Sequence, residues 1–175
     1  LQHSTEGGRA QQRDLYVDLD KRLQALEGAT GGAAGAAGAT PAAAGATGTD
    51  QGYYKTAFDL LKGGQYDKAI TAFQQFLAAF PDSALADNAQ YWLGEAFYVN
   101  KDFDAALKSF RAVADRWPNS RKLADALLKV GYCNYELKRW APAREALKQV
   151  TRNHADSPSA KLAAERLDRM DKEGR

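Results

Sequence analysis

The 175-residue chain is 45% hydrophobic, and its 24 basic and 22 acidic residues interleave to a formal net charge of +2. That balance leaves no electrostatic footprint for nucleic acid or an anionic membrane surface. A single cysteine, Cys133, excludes an intramolecular disulfide framework and any metal site built from several thiolates. No apolar run approaches the roughly 18–20 residues that span a bilayer, so no membrane insertion is expected. The chain opens Leu1-Gln2-His3-Ser4, without Met or a basic leader, which suggests processing or truncation upstream, with any export signal out of view.

Three regions follow in chain order. Residues 1–28 hold a short amphipathic helix from Arg13 to Glu27, whose Tyr16, Leu19, Leu23 and Leu26 are spaced three, four and three. This is an a/d seam of two heptads, readable either as the end of a self-associating coiled coil or as a marginal isolated helix. Residues 29–50 are a linker built almost wholly of Ala, Gly, Thr and Pro. Its glycines each cost a helix about 1 kcal/mol, and twenty such residues reach roughly 25 Å.

Residues 51–175 carry the apolar residues needed for a core. Apolar positions such as Leu60, Leu61, Ile70, Phe73, Phe76 and Leu77 recur at threes and fours, a helical period, and strand-like alternation is absent. Breaks at Gly63-Gly64, Pro81-Asp82-Ser83, Asn100-Lys101-Asp102, Pro118-Asn119-Ser120, Lys138-Arg139 and Asp156-Ser157-Pro158 divide this region. Seven helices are predicted, at 52–62, 66–79, 84–99, 103–116, 121–137, 140–153 and 158–172. Ser83, Ser120 and Ser157 are expected to be N-caps, and Pro158 suits the first helical position. The last helix is expected to be a solvating cap, with Lys161, Glu165, Arg166, Asp168, Arg169 and Asp171 outward.

These breaks recur because the sequence repeats without gaps every 37 residues. Tyr66, Phe103 and Trp140 fall on one register, as do Ala69, Ala106 and Ala143, then Ala57, Gly94 and Gly131, and then Ser83, Ser120 and Ser157. A period of this size means stacked copies of one supersecondary unit, none of which buries its apolar face alone. The predicted fold is therefore all-α: three helix pairs and a C-terminal capping helix in a right-handed superhelical stack.

The middle unit resembles a tetratricopeptide repeat, with Leu93-Gly94, Phe97, Ala106, Phe110 and Pro118 at that repeat's spacings. Ala57, Leu60, Ala69, Phe73 and Pro81 follow in the first unit. In the third, Gly131, Ala143 and Leu147 match, whereas Asn134, Arg144, His154 and Ala155 break the pattern. The surplus over the usual 34 residues lies in Asp82 to Asp87 and Asn119 to Asp125, where the next helix is expected to start one turn early. Together with YYKTAFDLLKGGQYDKAITAFQQFL, DNAQYWLGEAFY and ADALLKVGYC, the region is similar to the family of Tol-Pal-associated cell division coordinators, YbgF or CpoB. That resemblance implies a periplasmic, non-enzymatic protein that works with TolA and contacts a bifunctional penicillin-binding synthase. It implies coordination of outer-membrane constriction with septal peptidoglycan synthesis. It also implies a homotrimer formed through the N-terminal helix.

In a curved stack the first helix of each pair lines the concave side. Side chains there at i, i+4 and i+7 are Tyr54, Phe58 and Leu61, then Tyr91, Glu95 and Tyr98 with Asn88 a turn earlier, then Leu128, Tyr132 and Tyr135 with Asp125 a turn earlier. Five tyrosines on one predicted surface suit a partner-binding groove, because tyrosine offers apolar area and a hydroxyl at small entropic cost. Asn88 and Asp125 are expected to anchor a partner backbone, and Glu95 to pair with a basic residue of it. Aromatic residues at helical spacing are also what a core requires, so burial is the competing expectation.

Chemistry is not expected. His154 occupies the register of Phe80 and Trp117, which suits packing or capping, and Cys133 beside Gly131 suits a buried, inert thiol. No catalytic, cofactor-binding or metal-binding residue is assigned. The leading reading is a protein-binding adaptor. A structural oligomerisation spacer whose repeats self-associate is the alternative, and an enzyme acting on peptidoglycan comes third.

Overall fold

The computed structural model describes residues 49–175, and the expectations for Tyr16, Leu19, Leu23, Leu26 and the linker lie outside them. The described residues form seven helices and no strand: α1 Asp50–Lys62, α2 Tyr66–Ala79, α3 Ala86–Val99, α4 Phe103–Arg116, α5 Leu123–Glu136, α6 Trp140–Asn153 and α7 Pro158–Lys172. Consecutive helices pack antiparallel in pairs, and the first helices also meet across pairs, α1 on α3 and α5 on α7. They make an inner layer, with α2, α4 and α6 outside it.

Small residues sit where paired helices come closest. A Cβ on Gly94 would lie 2.7 Å from the Phe110 ring, and one on Gly131 would lie 2.7 Å from the Leu147 side chain. The large residue of the outer helix thus fills the space that the glycine of the inner helix leaves open. Around these contacts Tyr54, Phe73, Phe76, Trp92, Phe110, Leu128, Leu147 and Met170 are fully buried.

One turn joins the two helices of every pair. The N–H of Gln65, Asp102 and Arg139 donates back to the carbonyl oxygen of Leu60, Phe97 and Asn134, at 2.9, 2.9 and 2.8 Å. This is a Schellman closure, which needs a left-handed residue just before the donor. Gly64, Lys101 and Lys138 hold that position, with φ of 72°, 63° and 57°. The glycine is at ease there, and the two lysines adopt the same backbone at a cost of about 1 kcal/mol or more each.

Successive pairs are joined differently from the sequence expectation. Helices α3 and α5 begin at Ala86 and Leu123, two residues later than predicted, because the surplus residues form turns and not an added helical turn. The turns close through Ser83 N–H to Phe80 O (3.2 Å) and Ala86 N–H to Ser83 O (2.9 Å), and through the equivalent bonds of Ser120 and Leu123. Ser83 and Ser120 are therefore not N-caps. Their hydroxyls accept from the N–H of Leu85 and Lys122, and donate to Asp50 at 2.5 Å and Asp87 at 2.6 Å. Each acid lies in the first turn of one inner helix, so the bond staples that helix to the turn that starts the next. Ser157 does act as predicted, accepting from the Ala160 N–H at 3.1 Å with Pro158 behind it.

The irregular third copy is fitted to the closing helix. Ala124 occupies the register of Asp50 and Asp87, and the staple shifts by one residue to Asp125, which accepts the Ser159 hydroxyl. Arg144, in the register of Leu107, pairs with Asp171 at 2.6 Å and donates from Nε to the Arg175 carbonyl oxygen at 2.5 Å. Asn134, in the register of Phe97, is buried and returns its amide to the Val130 carbonyl at 2.9 Å. Of the residues expected outward on α7, Lys161, Glu165, Asp168, Arg169 and Asp171 are exposed, whereas Arg166 is half-buried against α5.

Candidate partner-binding face

The inner layer gathers the ten predicted groove residues, but most of them face inward. Tyr54, Phe58, Asn88, Tyr91, Glu95 and Leu128 are buried. The reason is aromatic packing. Tyr54 meets Phe73 and Phe76 edge-on at 5.9 and 5.7 Å, Phe58 meets Trp92 at 5.2 Å, and Tyr91 meets Phe110 at 5.5 Å. A core-facing helix needs an apolar stripe wider than 100°, and positions assigned to the groove fall within it. The expected surface of five tyrosines therefore contracts to Tyr98, Tyr132 and Tyr135, which are half-buried, as is Asp125.

Tyr98 and Tyr135 stand one repeat apart and each packs edge-on against the first residue of the outer helix that follows. The centroid distances are 5.3 Å to Phe103 and 5.3 Å to Trp140. Burial raises the Tyr98 hydroxyl well above the ordinary phenol range, with the nearby Glu136 carboxylate adding to it. Burial likewise raises Tyr132, while Arg166 acts in the opposite direction. Tyr135 is raised chiefly because its hydroxyl donates to Glu173 at 2.7 Å. All three hydroxyls are thus neutral donors at physiological pH.

Cations overlie these rings. Lys129 lies 5.1 Å from the Tyr98 centroid, and Arg166 lies 4.1 Å from that of Tyr132 and 4.7 Å from that of Tyr135. Lys122, only 4% exposed, covers Tyr91 at 5.4 Å and Trp92 at 5.9 Å. Such contacts hold a cation in place and cost it little of its charge. The expected partnerships of the acids are already filled within the chain: Glu95 pairs with Lys129 at 2.8 Å, and Asp125 takes Ser159 and lies 3.8 Å from Lys122. Asn88 is different. It is 0% exposed, and neither atom of its side-chain amide has a hydrogen-bond partner among the described residues.

Sequence reasoning missed Lys122 and Arg166. A signal for Arg166 was present: Ser159, Ala163, Arg166 and Met170 are spaced four, three and four, and the other three are buried, which puts the arginine on the inward stripe. Lys122 gave no such signal, because a long aliphatic stem can lie along apolar rings from a helix-start position. Cys133 is buried, and burial pushes its thiol up to about 12. Among the described residues no group of three or more His, Cys, Asp or Glu side chains could hold a metal ion, and no helix is long and apolar enough to cross a membrane.

This architecture has relatives. Tetratricopeptide-repeat models match residues 54–121 and 125–157, together more than half of the chain. The cell division coordinator CpoB of Pseudomonas putida is 52% identical over 50 residues, a stretch that covers 29% of this chain and 19% of that protein. Among solved structures, the first tetratricopeptide domain of Spaghetti (RPAP3) bound to the HSP90 peptide SRMEEVD superposes with a TM-score of 0.58 at 17% identity, covering 69% of this chain and 88% of that one. The Yersinia enterocolitica chaperone SycD, in complex with a peptide of the translocator YopD, gives 0.57 at 19% identity, covering 67% and 86%. At these identities the superpositions speak for the fold alone. The chain belongs to the tetratricopeptide-repeat family and is a CpoB-like member of it.

Proposed function

We propose that this protein is a protein-binding adaptor of cell division, and that a partner segment lies along the inner face formed by α3, α5 and α7. The observation that carries the reading is the half-buried strip of Tyr98, Tyr132 and Tyr135, held under the cations of Lys129 and Arg166. Aromatic side chains that are pre-ordered by packing lose little entropy on contact and make the anchors that dominate interfaces. Two structural relatives were solved with peptides in place, which supports the same use of this fold here.

The resemblance to the cell division coordinators supports TolA as the proposed partner, with a bifunctional penicillin-binding synthase as the second contact and the periplasm as the compartment. Residues 1–28 would then serve for trimer formation through Tyr16, Leu19, Leu23 and Leu26, and residues 29–50 as a tether. The spacer reading finds little apolar surface for self-association, since Tyr53 and Val99 are the exposed large hydrophobic residues recorded among them.

The test is binding of the full chain to the periplasmic part of TolA by calorimetry, beside the Tyr98→Ala/Tyr132→Ala double variant. We expect affinity to fall at least tenfold, with the helical circular dichroism spectrum retained, as loss of two central aromatic anchors requires. Unchanged affinity in a folded double variant would remove this face from consideration.

A further inference from the structure

We propose that the strip at Tyr98, Tyr132, Tyr135 and Arg166 selects carboxylates, so that the segment it receives is acidic. The inference rests on the reading that the inner face receives a partner segment, and it adds the chemistry of that segment. Sequence reasoning pointed the other way, toward a basic residue paired with Glu95.

Arg166 is the central observation. Its guanidinium stacks on Tyr132 and Tyr135, 4.1 and 4.7 Å from their centroids, and it is half-buried. Its charge is also felt at Tyr98, on the far side of α5 from its own helix. Among the described residues it makes no ion pair and no hydrogen bond. The plane of the group is therefore fixed by aromatic contact while its fork of five N–H donors is unspent. A planar fork held in this way matches a carboxylate in the two-bond geometry.

The surrounding charges are partly spent within the chain. Three acids of this face are engaged, Glu95 with Lys129, Asp125 with Ser159, and Glu173 with the Tyr135 hydroxyl, whereas the exposed Glu136 near Tyr98 makes no ion pair among the described residues. The cations are not all matched. Lys122 has its nearest carboxylate oxygen 3.8 Å away, beyond hydrogen-bond reach, on an aspartate that already accepts from Ser159. An acidic segment would meet the unspent fork of Arg166 directly. Asn88 lies one turn before Tyr91 and Trp92, whose rings Lys122 covers, so the unpaired amide and the incompletely paired ammonium share that end of the face.

The experiment is selection of a phage-displayed random dodecapeptide library on the full chain. The recovered peptides are then synthesised with both ends blocked, beside analogues in which each Glu and Asp becomes Gln and Asn. We expect the recovered sequences to be rich in Glu and Asp, and the amide analogues to bind about tenfold to a hundredfold more weakly, as loss of a charge-assisted pair requires. Arg166→Gln should erase the difference between the two forms. Arg166→Lys, which keeps the charge without the fork, should restore only part of it. Recovery of neutral or basic peptides, or equal binding of acid and amide forms, would overturn the carboxylate proposal. If such peptides still lose affinity in the Tyr98→Ala/Tyr132→Ala variant, the groove survives that failure. If no peptide depends on those tyrosines, both readings fall together.

Discussion

Gly94 and Gly131 mark the points where the fold tolerates least. A methyl group at Gly94 would stand 2.7–2.9 Å from three atoms of the Phe110 ring, which is itself fully buried and cannot swing into solvent. Gly94→Ala should therefore destabilise the chain by about 1–3 kcal/mol, the usual cost of overpacking a tight core, even though alanine is the better helix former. Urea unfolding followed by circular dichroism measures this, and no loss would mean that the α3–α4 contact is looser than it stands here. Cys133 gives a second residue-scale outcome. Its thiol titrates near 12 when folded and lower when unfolded, so the stability that depends on the neutral thiol is intact below the unfolded value and lost as pH rises toward 12. Tyr98, raised in the same direction by burial, adds to that loss. Unfolding free energy should fall from about pH 9 upward, and Cys133→Ala should flatten the early part of the fall.

At the scale of elements, the joints between pairs each carry an acid–serine staple. The Asp50–Ser83 and Asp87–Ser120 bonds each tie the first turn of one inner helix to the turn before the next. Ser120→Ala leaves the buried Asp87 carboxylate without that donor and should cost about 1–3 kcal/mol in urea unfolding. The helices themselves were legible because apolar spacing and breaker residues report local backbone preference directly: α2, α4, α6 and α7 lie where spacing puts them. The joints were not, because a serine before a helix reads as an N-cap whether its hydroxyl turns to its own helix, as Ser157 does, or to an acid 33 residues earlier. The groove was half legible for a related reason. Spacing identifies the face of α1, α3 and α5 that is aromatic, but whether Tyr91 meets solvent or Phe110 depends on where another helix lies. Arg166 could have been found on its stripe, and charge alone put it outside.

For the whole molecule, contacts run between neighbours in the stack, so stability is a chain of local couplings with weak points at its ends. Arg144 is the fastening at the C-terminal end, through Asp171 and the Arg175 carbonyl oxygen. Arg144→Ala should speed hydrogen exchange of α7 amides by about tenfold, with those of α2 and α3 unchanged; mass spectrometry of peptic fragments would show an even increase if the stack instead opened as one unit. The closing helix also brings Arg166 to the inner face, which gives it two duties that cannot be separated. A ligand gripped by Arg166 binds only molecules in which α7 is seated, and by linkage it must shift that local equilibrium toward the seated form. Resistance of the last helix to proteolysis thereby becomes a label-free gauge of how fully the inner face is occupied.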